Sequence, residues 1–290
     1  MITSFRLSFS LELNYEIDPP GSDFIFSVHA AQTPHQQVIA ESLTFSQSLQ
    51  YEVCTVPESQ ARLLRLQASP GSLCLQYQAT IELDHYYAHP DSLCEIPIAR
   101  LPLSVLPYLY PSRYCQSDEF SVLANREFGH LQQGYYRVQA ISDWVVNHVT
   151  YEKNSSVATT SAVQTESYRV GVCRDFAHLM ITLCRALNIP ARFVTGIDYG
   201  SNASMGPHDF HAYVEVYLSD RWYIFDPSRI AIPTGLIRLG TGRDAADSAF
   251  AMIFGDVWGG LPLIQITVLN NQYGQLAFPE HTTEAISTCQ

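Results

Sequence analysis

The chain opens on a strict alternation. In FRLSFSLELNYEI apolar side chains take every second position, the period of a strand with one buried face. The later runs FIFSVHA, RLLRLQA and LCLQYQATIEL are shorter and stand between Pro19-Pro20-Gly21, Pro34, Pro57 and Pro70-Gly71. Short strands punctuated this way predict a sandwich or barrel, and residues 1–110 are read as an antiparallel β-sandwich. The stretch LPLSVLPYLYPSRYC, residues 101–115, carries Pro102, Pro107 and Pro111 without a helical or strand period. It reads as a linker.

Beyond residue 115 the period lengthens. Ser117 and Asp118 can cap a helix through FSVLANREF that Gly129 closes, and YYRVQAISDWVVNHVTY keeps a three-to-four-residue apolar spacing. The Ser- and Thr-rich residues 152–170 read as a surface loop. A third helix fits GVCRDFAHLMITLCRALNIP, with Phe176, Met180, Leu183 and Leu187 on one face and Pro190 as its stop. Strands return in ARFVTGIDY, FHAYVEVYL and RWYIFDP, the last two joined by Ser219-Asp220 as a hairpin. A last strand fits LIQITVLN. The pattern predicts an α+β protein with a sandwich at 1–110, a mixed catalytic unit at 115–270 and a weakly patterned tail at 271–290.

Composition narrows the partners. A chain of 290 residues, 47% of them hydrophobic, can bury about three quarters of its unfolded surface and needs no disulfide or metal to fold. Sixteen basic against 28 acidic residues leave a net charge of −12, which argues against nucleic acid and anionic membrane as partners. Lys153 is the single lysine. No apolar stretch reaches the ~18 residues of a spanning helix, and the alternating N-terminus reads as a strand rather than a signal peptide. Seven cysteines at irregular spacings fit reduced thiols and a cytoplasmic setting.

Three residues in separate segments suggest chemistry. Cys173 falls at the start of a predicted helix, where free amides and the helix dipole favour a thiolate and can donate to an oxyanion. Gly171 just before it suits close approach of a substrate backbone. Cys184, eleven residues on and mid-helix, reads as an ordinary core thiol. His211 lies on an alternating strand, on the face of Tyr213, Glu215 and Tyr217. Asp226 ends the partner strand ahead of Pro227, a little beyond the position opposite His211. A carboxylate there can orient an imidazole that activates a thiol.

GVCRDFAHL, HAYVEVYL and RWYIFDPS resemble the transglutaminase-like superfamily, papain-related cysteine enzymes with the chain order Cys, His, Asp. GRDAADSAF at 242–250 and the N-terminal β region resemble a bacterial subgroup described as proposed cysteine proteases. The resemblance implies a papain-like core with Cys173 as nucleophile, His211 as base and Asp226 as orienting carboxylate, acting on a protein or peptide substrate without a cofactor. The chain departs from the family at Tyr213, where Trp is common and a change would reshape the acyl pocket. It also has Arg174 where animal transglutaminases carry Trp.

Other polar residues cluster around these three in sequence. Asp175 and His178, one helical turn apart, are placed to pair beside Cys173. His208 and Asp209 precede the base and can orient or gate it. Arg243 and Asp244 suit a bidentate ion pair. Trp144 and Tyr168 are the candidates for a second oxyanion donor. Three function classes follow: a thiol-dependent peptidase or amidase, with transamidation of glutamine as its variant; a metal site using His208 and His211, disfavoured because i, i+3 splits the faces of a strand; and a silent peptide-binding module. The sandwich is read as limiting substrate access or mediating self-association, which makes a homo-oligomer one expected state.

Overall fold

The computed structural model describes residues 4–57, 59–200 and 208–289. The alternation of the first third becomes two facing antiparallel sheets. Strands β1 (Phe5–Ile17), β2 (Ser22–Phe26), β3 (Gln36–Phe45), β4 (Tyr51–Thr55), β5 (Arg62–Ala68) and β6 (Gly71–Leu83) divide between them, with β1-β6-β3 in one sheet and β2-β5-β4 in the other. Leu7, Phe9, Leu11 and Leu13 of β1 are at most 2% exposed and meet Phe24, Phe26, Leu64 and Leu66 of the second sheet. Alternate residues face out, as the two-residue period requires. A short β7 (Tyr86–Ala88) leaves the sandwich.

Residues 101–115 are not a free linker. Leu101, Val105 and Cys115 are buried, the first two in a cluster with Tyr217 and Trp222. The prolines shape 3₁₀ turns that press this stretch against the second unit.

That unit is a helical layer on an antiparallel sheet. Helices α1 (Ser121–Phe128) and α2 (Tyr135–His148) are followed by β8 (Thr150–Tyr151), α3 (Ala162–Tyr168), β9 (Val170–Gly171) and α4 (Cys173–Ala186). The sheet holds β10 (Ala191–Asp198), β11 (Phe210–Leu218), β12 (Arg221–Phe225) and β13 (Leu236–Gly242) in the order β12-β11-β10-β13. The expected loop 152–170 therefore contains a helix. Ser161 and Gln164 form a capping box at its start, and Ala162 and Thr165 are buried. Phe176, Met180 and Leu183 of α4 pack on Phe193, Val214 and Val216 of the sheet. Covered on both faces, β10 and β11 have no exposed side, and their polar residues Arg192 and Glu215 are buried as a pair.

Strand pairing also crosses the expected division at 115–270. After α5 (Ala245–Ser248), strand β14 (Ala251–Phe254) pairs with β2, and β15 (Val257–Gly259) and β16 (Leu263–Leu269) both pair with β1. Residues 251–269 thus complete the sandwich rather than the core sheet. Nor is 271–290 a loose tail, because β17 (Ala285–Ser287) pairs with β7 and Ser287 and Thr288 are fully buried. The side chain of Gln36 joins the units: its amide donates to Arg238 O at 2.8 Å and accepts from Arg238 N–H at 2.8 Å. A fully buried amide is satisfied by bonding the edge of β13 as a strand would.

Candidate active site

Helix α4 starts at Cys173. The Val172 carbonyl accepts the N–H groups of Asp175 (2.8 Å) and Phe176 (3.2 Å), so Cys173 occupies the first position, whose own N–H has no intrahelical partner. Asp175 is fully buried and turns back, its Oδ2 accepting the Val172 N–H at 2.8 Å. A Cβ on Gly171 would lie 2.8 Å from Asp175 Cβ and 3.1 Å from its Oδ2. Glycine stands there to admit this cap, which replaces the expected role beside a substrate backbone. Arg174 reaches outward, donating to Asp175 Oδ1 at 3.2 Å and to Val157 O at 2.7 Å. It ties the 152–160 segment to the start of the helix.

The hairpin of β11 and β12 supplies the other two groups. Ser219 and Asp220 turn with φ of 44° and 62°, as a two-residue hairpin needs. Val214 pairs with Phe225, so Asp226 falls opposite Tyr213, on the near side of the position facing His211. The two side chains meet on the diagonal, His211 Nε2 lying 3.3 Å from Asp226 Oδ1, with side-chain exposures of 5% and 2%. This is a close charge contact without the alignment of a good hydrogen bond. The carboxylate is fixed from behind: Oδ1 accepts Ser228 N–H at 3.0 Å and Ser228 O–H at 2.6 Å, and Oδ2 accepts Ala231 N–H at 3.0 Å.

Electrostatics favour an ion pair here. Burial works against a charged His211, but the Asp226 charge and the contacts with Asp226 and Cys173 outweigh it and hold the imidazole well above its usual range. Burial likewise penalises Asp226, yet His211 and the donors from Ser228 and Ala231 bring its carboxyl below the ordinary value. With Nε2 turned to Asp226, Nδ1 is the nitrogen left for the Cys173 thiol. The structure brings Cys173, His211 and Asp226 together.

The neighbouring candidates separate. Asp175 and His178 do not pair: His178 Nε2 accepts Ala245 N–H at 3.1 Å, and its ring stacks on Tyr114 at 5.0 Å. Burial and the charges of Arg174 and Arg185 keep that imidazole neutral, well below its usual range. Arg243 forms its bidentate pair with Asp247 (2.8 and 3.0 Å), not with Asp244. Asp244 caps α5 through Ala246 N–H and accepts Tyr114 N–H at 2.9 Å. Tyr213 is fully buried among Val194, Ile224, Leu236 and Ile286, the cluster on the sheet face away from α4, so it does not shape an acyl pocket. Asp209 accepts Phe210 N–H at 2.7 Å, and desolvation raises its carboxyl against the pull of that bond, Lys153 and His211. Trp144 stacks on His148 at 4.0 Å, and Tyr168 is 71% exposed. Among the described residues no group of three or more His, Cys, Asp and Glu side chains is arranged to hold a metal ion.

The aromatic residue beside the thiol is Tyr151, which the pattern had assigned to the end of a helix. That helix stops at His148, and the parallel β8–β9 bridge sets Tyr151 opposite Gly171. Its ring lies 6.1 Å from Phe176, three residues after Cys173. Nothing in the local pattern marks this placement, since the residue after Thr150 continues an apolar spacing.

A cysteine at a helix start, facing a histidine and a carboxylate on adjacent antiparallel strands, defines a papain-like cysteine site. Comparison with known proteins agrees. Residues 123–227 match the transglutaminase-like superfamily core and residues 5–104 match the bacterial transglutaminase N-terminal domain. A crystal structure of a proposed cysteine protease from Cytophaga hutchinsonii is 35% identical, superposes with a TM-score of 0.89, and covers 98% of each chain. The chain belongs to the transglutaminase-like superfamily. Protein ML0607 of Mycobacterium leprae is 27% identical over 146 residues, and YebA of Bacillus subtilis is 27% identical over 144. Those matches take in 49% and 42% of this chain and 52% and 20% of the respective relatives. No helix among the described residues is long and apolar enough to cross a membrane.

Proposed function

We propose that the protein is a thiol-dependent acyl-transfer enzyme, a cysteine peptidase or amidase acting on amides of a protein or peptide. The observation that carries this reading is the buried His211, held between Asp226 at 3.3 Å and the Cys173 thiol. Cys173 sulfur attacks the acyl carbon after its proton passes to His211, and the carbonyl electrons move onto oxygen. Collapse of that tetrahedral species breaks the C–N bond, and His211 returns the proton to the leaving amine. Water, deprotonated by His211, then cleaves the thioester and restores the thiol. Asp226 keeps the imidazole oriented and stabilises its charged form. Family membership and the proposed protease among the structural relatives support the reading.

The test is the pH dependence of iodoacetamide alkylation, located by mass spectrometry, in wild type, His211→Ala and Asp226→Asn. The expected result is selective alkylation of Cys173 below neutral pH that shifts upward without His211. Alkylation of Cys173 no faster than the exposed Cys54 and Cys94, at every pH, overturns the proposal.

A further inference from the structure

Resting on that reading, we infer that Ser228 is a positioning residue whose hydroxyl sets how firmly His211 holds its proton, by occupying the carboxylate oxygen that the imidazole approaches. Asp226, Pro227 and Ser228 follow directly on β12, and the proline ring fixes its own φ, so the chain turns back at once. Arg229 N–H closes the turn on Asp226 O at 3.2 Å. The buried Ser228 thereby meets the side chain two residues before it, as a residue following an aspartate in such a turn does.

The two oxygens of Asp226 carry different loads. An ionised carboxylate offers about two acceptor positions on each oxygen. Oδ1 receives both Ser228 N–H at 3.0 Å and Ser228 O–H at 2.6 Å, whereas Oδ2 receives Ala231 N–H at 3.0 Å. His211 Nε2 comes to 3.3 Å from Oδ1, the oxygen already filled, and has no aligned acceptor among the described residues. The imidazole therefore feels the charge of Asp226 without a direct hydrogen bond to it. Donation from the Ser228 hydroxyl also disperses that charge, so the imidazolium is stabilised less than a freer carboxylate would stabilise it. The effect reaches catalysis because His211 must release its proton to the leaving amine, and an imidazolium held too tightly does so slowly. The ionisable groups acting on this ring are Asp226, Cys173 at the start of α4 and Asp209, two residues earlier in the chain. A substitution at Ser228 keeps all three.

The test is the titration of His211, followed by NMR of the imidazole rings, with its signal among the ten histidines assigned by its loss in His211→Ala. In Ser228→Ala the vacated position on Oδ1 can accept Nε2–H, and the midpoint should move up by about one pH unit. Ser228→Thr keeps the hydroxyl and should titrate as wild type does. An unchanged midpoint in Ser228→Ala overturns the proposal. So does a fall, which would mean that the hydroxyl only anchors the carboxylate. The titration needs no turnover, so its outcome is separate from that of the acyl-transfer reading, which fails if Cys173 is alkylated no faster than Cys54 and Cys94.

Discussion

His85 offers a quantitative test of how burial and protonation are linked in this fold. The residue directly precedes β7, is 3% exposed and lies 6.2 Å from each of the Phe5 and Tyr87 rings. Neither ring nitrogen has a partner among the described residues. Burial, with a smaller push from His35, lowers its pKa from 6.5 to about 4. The folded protein therefore keeps the ring neutral while the unfolded chain binds a proton near pH 6.5. Because the folded value is the lower one, the stability is complete above pH 6.5 and is lost as pH falls toward 4. The slope reaches about 1.4 kcal/mol per pH unit, and the total is about 3 kcal/mol. His85→Phe removes the titrating site. At neutral pH two effects oppose: about 1–3 kcal/mol recovered from unpaired nitrogens and about 1–3 kcal/mol lost to the larger ring. The decisive quantity is the change with pH. Urea unfolding followed by tryptophan fluorescence should show the variant gaining about 3 kcal/mol on wild type between neutral pH and about pH 4. His29, lowered to about 4 by burial and by Arg62, titrates equally in both proteins and cancels. A difference that stays flat with pH refutes the reasoning.

Other perturbations probe the site and its supports. Cys173→Ala should abolish turnover and leave the urea midpoint nearly unchanged, because the side chain is only partly buried. Asp226→Asn should cut kcat by about 10²-fold or more and draw the alkaline limb of the kcat/KM profile downward, since Asp226 is what holds His211 protonated above its usual range. Gly171→Ala forces a Cβ to within 2.8 Å of Asp175 Cβ; loss of the cap should cost about 1–2 kcal/mol and slow alkylation of Cys173. Glu215→Gln leaves Arg192 and Arg238 without a buried counter-charge, their contacts being 2.6 and 3.6 Å. Its unfolding free energy should fall by about 3–5 kcal/mol, with an unchanged midpoint as the contrary outcome.

What could be read from the sequence was what local periodicity carries. The alternation of β1, the hairpin at Ser219-Asp220 and the helix opening at Cys173 each depend on neighbours a few residues away. The fates of β14 to β16 depend on strands more than 200 residues distant, and no local pattern states which edge a strand will join. α3 was hidden because its seven residues, AVQTESY, are too few to show a helical period and follow the Ser- and Thr-rich run 155–161, so that only the Ser161–Gln164 box signals its start. Asp175 and Arg243 were legible as polar residues near the site, but their partners were not. Each satisfies the nearest backbone donor or carboxylate, Val172 N–H in one case and Asp247 in the other. Tyr151 was lost because a helical spacing ran past the point where the helix ends.

The same long-range closure governs the site. The last residues of the chain enter three different parts of the interior: Ala285 joins the core under α4, Ile286 the opposite face of the sheet, and Cys289 the cluster around Trp222. Arg192 anchors the last of these, its guanidinium 4.1 Å from the Trp222 ring, paired with Glu215 and donating to Cys289 Sγ at 3.1 Å. Glu284 and Ile286 also wall a cavity of about 270 Å³, with Tyr135, Ser142 and Asp226 on its other sides. The C-terminal strand thus stands across this cavity from the carboxylate that holds His211 charged. A piece cut at residue 270 would lose Ile286 from the sheet face that holds Tyr213 and Ile224 and from the cavity wall facing Asp226, so the surroundings of the ion pair are built by the closing strand as well as by the hairpin that bears it.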